Sequence, residues 1–232
     1  MKTTIAANQP GGKLIFKVVS RFLFALVFIG VLLFVPAGTL KFSNGWLFIA
    51  GLMVPMIFTL VFLYIKNPEL LVKRMNMNEK EDVQKKYIKF SFFIYITAYT
   101  IPGLDYRFQW SNVPNWLVII AFIIMIGGYF MFVAVMIQNR YASRIIEIQN
   151  KQKLIDTGLY SVVRHPMYLA VIILFPASSL VLDSYFALIP MSLLPFLLAL
   201  RIKNEEQVLL QGLPGYKAYM EKVKYRLIPL IW

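Results

Sequence analysis

The stretch VPNWLVIIAFIIMIGGYFMFVAVMI, residues 113–137, contains no charged side chain. A helix needs about 20 mostly apolar residues to cross the hydrocarbon core of a bilayer, because each residue advances the chain by about 1.5 Å. The stretch is therefore long enough to span. It predicts an all-α integral membrane protein, since an open sheet cannot satisfy its backbone groups in lipid.

The composition supports the same class. Hydrophobic residues make up 59% of the 232 residues and charged residues only 15%, whereas soluble domains are about 45–50% apolar. The formal net charge of +13 would suit a nucleic-acid binder if the basic residues formed a patch on a soluble fold. They lie instead between apolar runs, so we expect membrane lipid as the environment and no nucleic-acid partner.

Four further apolar segments complete the expected membrane region. The last of them, residues 167–200, is interrupted near its middle by Asp183 and Ser184. Each arm has about 16 residues, which is short for a span, so we interpret this segment as a tight helical hairpin kinked by its prolines. About six transmembrane helices are predicted, the single spans being residues 16–37, 45–65, 87–104 and 113–137 and the hairpin arms residues 167–182 and 185–200.

The orientation follows from the Lys and Arg residues, which favour the cytoplasmic side. Six spans place both termini on one face, together with residues 66–89 and 138–165. These regions, with Lys17 and Arg21 near the start of the first span, hold 22 of the 24 basic residues. Only Lys41 and Arg107 fall on the other face. We therefore expect a multi-pass protein with cytoplasmic N- and C-termini. A cleaved signal peptide ending near residues 35–38 is an alternative for the start of the chain.

The expected organisation is one structural domain in two parts. Residues 1–137 would form four N-terminal transmembrane helices with a cytoplasmic loop at 66–89. The charges of that loop mix signs, which is typical of a solvated helix lying on the headgroups. Residues 138–232 would hold the hairpin, a cytoplasmic C-terminal helix and the residues capable of chemistry.

Those residues are concentrated in the last third of the chain. Cys is absent and His165 is the single histidine, which excludes a disulfide framework, a cysteine nucleophile and a multi-histidine metal centre. Polar clusters stand instead at predicted helix ends, where ionisable groups of a membrane protein are most informative. They comprise residues 139–144 with Gln149, residues 156–168, and residues 201–206 leading to 215–219 and 225–229.

The expected hairpin brings two of these clusters together. Pro166 suits the first turn of a helix, because its missing N–H would have no partner there. Arg164 and His165 then lie at that helix's positive N-terminus, and the returning arm places Arg201 beside them. Arg201 and Glu205 share one face of a continuing helix. The predicted mouth suits a ligand with a charged part and an apolar part, although each residue alone is equally typical of an interfacial anchor.

At these residues the chain resembles the isoprenylcysteine carboxyl methyltransferase (ICMT) family, in its prokaryotic branch of membrane methyltransferases. The resemblance covers residues 138–232, and the order of the motifs is more specific than any single one. The matching text is Gly158-Leu159-Tyr160, Arg164-His165-Pro166-Met167-Tyr168, the apolar hairpin, Glu205-Glu206, Gly215-Tyr216, Tyr219 and Arg226-Leu227-Ile228-Pro229.

The resemblance implies an enzyme of the EC 2.1.1 type in a prokaryotic inner (plasma) membrane. S-adenosyl-L-methionine would be the methyl donor, and a lipophilic or lipid-modified acceptor, such as an isoprenoid or isoprenylcysteine-like carboxylate, would be methylated at the cytoplasmic face. No metal is implied. Arg201 and Arg164 are carried over as catalytic residues, Arg201 near the acceptor carboxylate. The implied cofactor-binding residues are Gln149, Lys153, Leu154, Ile155, Tyr160, His165, Pro166, Tyr168 and Glu205 or Glu206, the choice between the two glutamates being open.

This chemistry suits the residue types. A carboxylate is ionised at neutral pH, so methyl transfer to it needs alignment and desolvation but no general base. Arginine can hold a carboxylate through paired hydrogen bonds, and Glu205 could accept bonds from the cofactor's ammonium or ribose. A thiol or amine acceptor would require a base, and His165 or Glu206 would then be the candidate.

Other classes compete with this interpretation. An NADPH-dependent membrane sterol or enone reductase has a similar C-terminal plan, but the Asn-Tyr-x-Gly-Asp and Arg-Asp-Glu blocks of such enzymes are absent from this sequence. A phospholipid N-methyltransferase differs in its acceptor. A non-enzymatic membrane transporter would need a charged residue at mid-depth, where the predicted spans have none.

Overall fold

The computed structural model describes residues 11–76, 82–142, 145–146 and 148–232, with only the backbone of Asp82 and Val83. Parts of three predicted regions fall outside these ranges: the start of the N-terminal tail, residues 77–81 of the 66–89 loop, and Ser143 and Arg144 of the first polar cluster. Within the described residues all regular elements are helical. The helices are α1 (Gly12–Ala37), α2 (Ser43–Lys66), α3 (Pro68–Met75), α4 (Asp82–Phe108), α5 (Asn115–Gln138), α6 (Pro166–Val181), α7 (Leu188–Met191), α8 (Leu194–Gly212) and α9 (Tyr216–Lys222), with a 3₁₀ turn at Gly158–Ser161.

Three of the helices, α1, α2 and α5, are long and apolar enough to cross a membrane. The all-helical class is confirmed, and these three match expected spans. The helix α4 has 27 residues but carries charged side chains near its ends. The helix α6 is apolar and has 16 residues, as expected for one arm of a hairpin.

Two glycines allow the long helices to approach closely. A Cβ at Gly103 of α4 would lie 2.3 Å from the Leu33 carbonyl oxygen of α1, and one at Gly128 of α5 would lie 3.0 Å from the Leu174 nitrogen of α6. Aromatic and aliphatic side chains fill the remaining space between the helices. The largest buried ones include Phe48 and Met125.

The returning arm of the hairpin differs from the expectation. The turn follows α6, with Asp183 at φ 58°, and the chain then forms the short α7 before α8 begins at Leu194. The single arm expected over residues 185–200 is therefore wrong. Pro195 stands in the first turn of α8, the one place in a helix where its missing N–H leaves no bond unmade.

The turn of the hairpin is held against the connection between α4 and α5. The buried carboxylate of Asp105 accepts hydrogen bonds from the Ser111 N–H at 2.6 Å and from the Ser184 hydroxyl. Asp183 accepts one from the Val113 N–H at 2.6 Å. The residues that interrupt the apolar run therefore connect the hairpin to the rest of the bundle.

The helix α3 lies in the 66–89 region, for which a helix on the headgroups was expected. Asn67 caps it by accepting a hydrogen bond from the Leu70 N–H at 3.2 Å, and Pro68 begins it. Leu70 and Leu71 are 0% and 1% exposed, and they pack with Met136 of α5. One face of α3 is therefore buried against the bundle, and its charged residues lie on the other face.

Candidate functional site

A polar cavity lies where the start of α6, the middle of α8 and α9 meet the segment before the 3₁₀ turn. Its empty volume, including open solvent at the mouth, is about 900 Å³. It is lined by Asn139, Tyr141, Ala142, Ile145, Ile146, Gln152, Lys153, Leu154, Ile155, Tyr160, Arg164, His165, Pro166, Met167, Tyr168, Glu205, Val208, Leu209, Leu213, Tyr216 and Tyr219.

The C-terminal segment holds the entrance to α6 in place. The Arg164 N–H donates to the Tyr225 carbonyl and the His165 N–H donates to the Arg226 carbonyl, both at 2.9 Å. Pro166 then begins α6 at the position predicted for it. The two motifs quoted for the resemblance, around residues 164–168 and 226–229, are therefore neighbours in space and are joined by backbone hydrogen bonds.

Glu206 is the anionic centre of a buried cluster behind the cavity. Its carboxylate accepts hydrogen bonds from Arg164 Nε and Arg226 Nε, each at 2.7 Å, and His165 Nε2 lies 3.4 Å away. Burial disfavours the ionised carboxyl, but the contacts with His165, Arg164 and Arg226 lower the pKa of Glu206 to about 2. A carboxylate with so low a pKa is a weak proton acceptor.

Arg164 is bound on the same side. Its Nη1 donates to the Val223 carbonyl at 2.7 Å and to the Lys224 carbonyl at 3.0 Å. The residue is 6% exposed. These bonds connect α6, α8 and the C-terminal segment.

Tyr168 lies at the centre of a second polar chain that faces the cavity. Its hydroxyl donates to Glu205 Oε2 at 2.6 Å and accepts from Arg201 Nε at 2.8 Å. Its ring stacks on His165 with a centroid distance of 5.8 Å. The predicted shared face of Arg201 and Glu205 is confirmed, because one hydroxyl binds both.

Tyr160 forms the opposite wall of the cavity. Its hydroxyl accepts a hydrogen bond from Asn139 Nδ2 at 2.8 Å, and its carbonyl accepts one from the Tyr219 hydroxyl at 2.7 Å. Burial is the main reason that the pKa of Tyr160 is raised to about 12. The phenol therefore stays neutral at physiological pH and can serve as a hydrogen-bonding group.

An apolar groove adjoins the polar cavity between α4, α5, α6 and α8. Five residues line both spaces and form the boundary between them: Ile145, Ile146, Met167, Tyr168 and Glu205. Tyr168 and Glu205 are the polar ones. At the groove's edge the Phe92 side chain is 51% exposed. Its lining residues are Arg74, Ile88, Ser91, Phe92, Tyr95, Phe132, Ile145, Ile146, Met167, Tyr168, Val171, Leu194, Leu198, Arg201 and Glu205.

The candidate residues predicted from the sequence lie in the polar cavity, in the apolar groove or outside both. Arg201 lines the apolar groove, while Gln149 and Glu206 are not among the described residues lining either space. Gln149 instead donates to the Tyr141 carbonyl at 2.8 Å. The polar cavity brings together Lys153, Leu154, Ile155, Tyr160, Arg164, His165, Pro166, Tyr168 and Glu205.

Several lining residues were not found from the sequence. Tyr216 and Tyr219 belong to the quoted motifs but were given no role, and Gln152 stands where Gln149 was expected. Arg74, on the polar face of α3, lines the groove and donates to the Ala142 carbonyl at 3.4 Å. The amphipathic pattern of α3 was the available signal for it.

One buried atom of the cavity wall, the Tyr216 hydroxyl, has hydrogen-bonding capacity that the protein does not use. His165 Nε2 makes no hydrogen bond of good geometry either, but it lies 3.4 Å from the Glu206 carboxylate. Buried polar atoms without a partner are rare and call for an explanation such as a ligand. The wall therefore fits a polar ligand. Among the described residues, no group of three or more His, Cys, Asp or Glu is placed to hold a metal ion.

Comparison with known proteins gives one family. Residues 117–211 match the model of the isoprenylcysteine carboxyl methyltransferase (ICMT) family. The matched region begins within α5, earlier than residue 138, and ends in α8 before the C-terminal motif. No curated protein sequence matches the chain.

Proposed function

We propose that the chain belongs to the isoprenylcysteine carboxyl methyltransferase family, whose model matches residues 117–211, and that it methylates the carboxylate of a lipophilic acceptor with S-adenosyl-L-methionine as donor. One observation carries the proposal. Tyr168 and Glu205 line both the polar cavity and the apolar groove. A polar cofactor and an apolar acceptor would therefore meet at these two residues.

The polar cavity is the proposed cofactor site. When bound there, the cofactor supplies a sulfonium methyl group, whose transfer breaks a carbon–sulfur bond and forms a carbon–oxygen bond. Glu205 can accept hydrogen bonds from an ammonium or ribose group, and the Tyr216 hydroxyl, which has no partner in the protein, can bind a polar atom. The His165 ring also faces the cavity. The wall residues Lys153, Leu154, Ile155, Tyr160, Pro166 and Tyr168 complete the site, and Gln152 replaces Gln149 in it.

The apolar groove is the proposed acceptor site. Its hydrocarbon would lie against side chains such as Phe92 and Val171, with the carboxylate toward Arg201 and Arg74 at the boundary with the cavity. Arginine is suited to holding a carboxylate through paired hydrogen bonds. Because the acceptor is already ionised, these residues need only orient it and exclude water.

Arg164 takes a positioning role in this scheme. Its contacts with Glu206 and two backbone carbonyls hold the wall of the cavity, whereas Arg201 and Arg74 line the groove. If the acceptor were a thiol or amine, His165 would be the base, because the low pKa of Glu206 makes that carboxylate a poor one.

We further propose that the chain crosses the membrane six times with both termini in the cytoplasm, as the distribution of Lys and Arg favours. The polar cavity would then open to the compartment that contains the soluble methyl donor. The catalytic part would be residues 138–232, and the membrane would be a prokaryotic inner membrane.

Cofactor binding is tested by calorimetry of the detergent-purified protein with S-adenosylhomocysteine. We expect binding by the wild type and by Glu221→Ala, an exposed control on α9. Glu205→Ala and His165→Ala should weaken it. No binding by the wild type, or unchanged binding by both cavity variants, contradicts the proposal, and binding of NADPH instead favours a reductase.

The acceptor is tested by methyl transfer from a radiolabelled donor. An N-acetylated S-prenylcysteine should be labelled, and its carboxamide, which has no anionic oxygen, should not. Equal labelling of the carboxamide would exclude carboxyl methylation.

A further inference from the structure

A basic cleft lies on the other side of Tyr141 from the polar cavity. Lys66, Lys73, Arg140 and Lys151 line it, and Glu69 is its single carboxylate among the described lining residues. Four cations against one anion leave a formal charge of +3 in a small space. Such a concentration of like charge creates a local positive potential that attracts anions.

Two of the four cations contact one side chain. Lys73 Nζ lies 5.7 Å from the centroid of the Tyr141 ring and the Arg140 guanidinium lies 5.0 Å from it. Arg140 Nη2 also donates to the Tyr141 hydroxyl at 2.8 Å, and that hydroxyl donates to the backbone carbonyl of Lys151 at 3.2 Å. Tyr141 therefore positions Lys73 and Arg140 in the cleft, and Lys66 and Lys151 complete its lining.

The position of the cleft indicates the source of its anion. Lys66 is the last residue of α2, and Arg140 follows the end of α5 by two residues. Both helices are candidates to span the membrane, so their ends lie at the boundary between hydrocarbon and water. Basic pockets at this level, between spanning helices, are suited to anionic lipid headgroups.

We propose that the basic cleft binds the phosphate of an anionic phospholipid. The phosphodiester would lie among Lys66, Lys73 and Arg140, with Lys151 at the rim, and its acyl chains would lie along the ends of α2 and α5. Guanidinium and ammonium groups are the usual partners of phosphate oxygens.

The cleft and the polar cavity share Tyr141. An occupied cleft would steady this wall of the cavity and should tighten cofactor binding, a consequence that rests on the proposed function. The lipid site itself does not depend on it.

The test uses calorimetry of the full chain in maltoside micelles with three probes: dioctanoyl phosphatidylglycerol, dioctanoyl phosphatidylcholine and inorganic phosphate. We expect the anionic lipid to bind and the zwitterionic lipid and free phosphate to bind far more weakly. The variant Lys66→Gln/Lys73→Gln/Lys151→Gln should bind the anionic lipid about 10- to 100-fold more weakly than the wild type.

The matched control is Lys203→Gln/Lys217→Gln/Lys224→Gln, which removes the same charge from exposed positions outside the cleft. It should retain wild-type affinity. Equal binding of the two lipids, equal loss in the two triple variants, or phosphate binding as tight as the anionic lipid would each overturn the proposal. Since none of these readouts involves the cofactor, they separate failure here from failure of the methyltransferase proposal.

Discussion

Substitution of Glu206 should mainly lower the stability of the protein, whereas substitution of its neighbour Glu205 should mainly weaken cofactor binding. Glu206→Ala removes the anion that binds Arg164 and Arg226, and the Arg164 side chain is 4% exposed. Removing one partner of a buried ion pair costs about 3–5 kcal/mol, because the other charge is left uncompensated. Glu205→Ala removes one hydrogen bond to the Tyr168 hydroxyl, worth about 1–3 kcal/mol.

The assay is thermal unfolding of the detergent-purified protein followed by tryptophan fluorescence. A chain of 150–250 residues loses about 2–4 °C in Tm per kcal/mol, so Glu206→Ala should lose about 6–20 °C and Glu205→Ala clearly less. In the protein that remains folded, the affinity for S-adenosylhomocysteine should fall more in Glu205→Ala than in Glu206→Ala. The reasoning is refuted if Glu205→Ala unfolds at or below the temperature of Glu206→Ala.

The same carboxylate predicts a dependence of stability on pH. The contacts of Glu206 lower its pKa from 4.5 to about 2. A lowered pKa in the folded state means that the stabilisation is complete above about pH 4.5 and is lost as the pH falls toward 2. The difference in Tm between the wild type and Glu206→Gln should therefore shrink over this interval, and a constant difference would contradict the assignment.

Three further changes test other parts of the structure. Tyr168→Phe deletes the hydroxyl between Arg201 and Glu205 but keeps the ring, and we expect kcat for methyl transfer to fall about tenfold or more, consistent with loss of a charge-assisted hydrogen bond. Unchanged turnover would remove Tyr168 from the site. Gly128→Leu should lower the free energy of unfolding by about 1–3 kcal/mol by overpacking α5 against α6. A Cβ at Gly127 meets no atom within 4 Å, so Gly127→Leu should unfold like the wild type. Asp105→Ala should lower Tm with the cofactor affinity unchanged, because this carboxylate binds the turn after α6, whereas the polar cavity lies at the start of α6. A selective loss of cofactor binding would contradict this expectation.

The family and the membrane class could be predicted from the sequence because both depend on local patterns. An uncharged, mostly apolar run of 25 residues is typical of a helix that spans a bilayer. Pro166 has a preferred helical position whatever surrounds it, and it is found there. The returning arm of the hairpin was predicted less well, since Pro190 and Pro195 leave several ways to break a helix that composition alone does not distinguish.

The tertiary structure decided which side chains face the ligand spaces. Successive residues of a helix are about 100° apart, so Glu205 and Glu206 point in different directions although any motif contains both. Leu198, Ile202 and Glu206 lie four apart on the buried side of α8.

Arg201 and Glu205 occupy the adjacent face and bind Tyr168. Their rotation about the helix axis is set by packing against α4 and α6 and by the C-terminal segment that pairs with residues 164–165. Arg74 reaches the groove for the same reason, because Leu70 and Leu71 bury the other face of α3. The sequence by itself determined which side chains are available to the candidate site, and long-range packing determined which of them line the cavity and the groove.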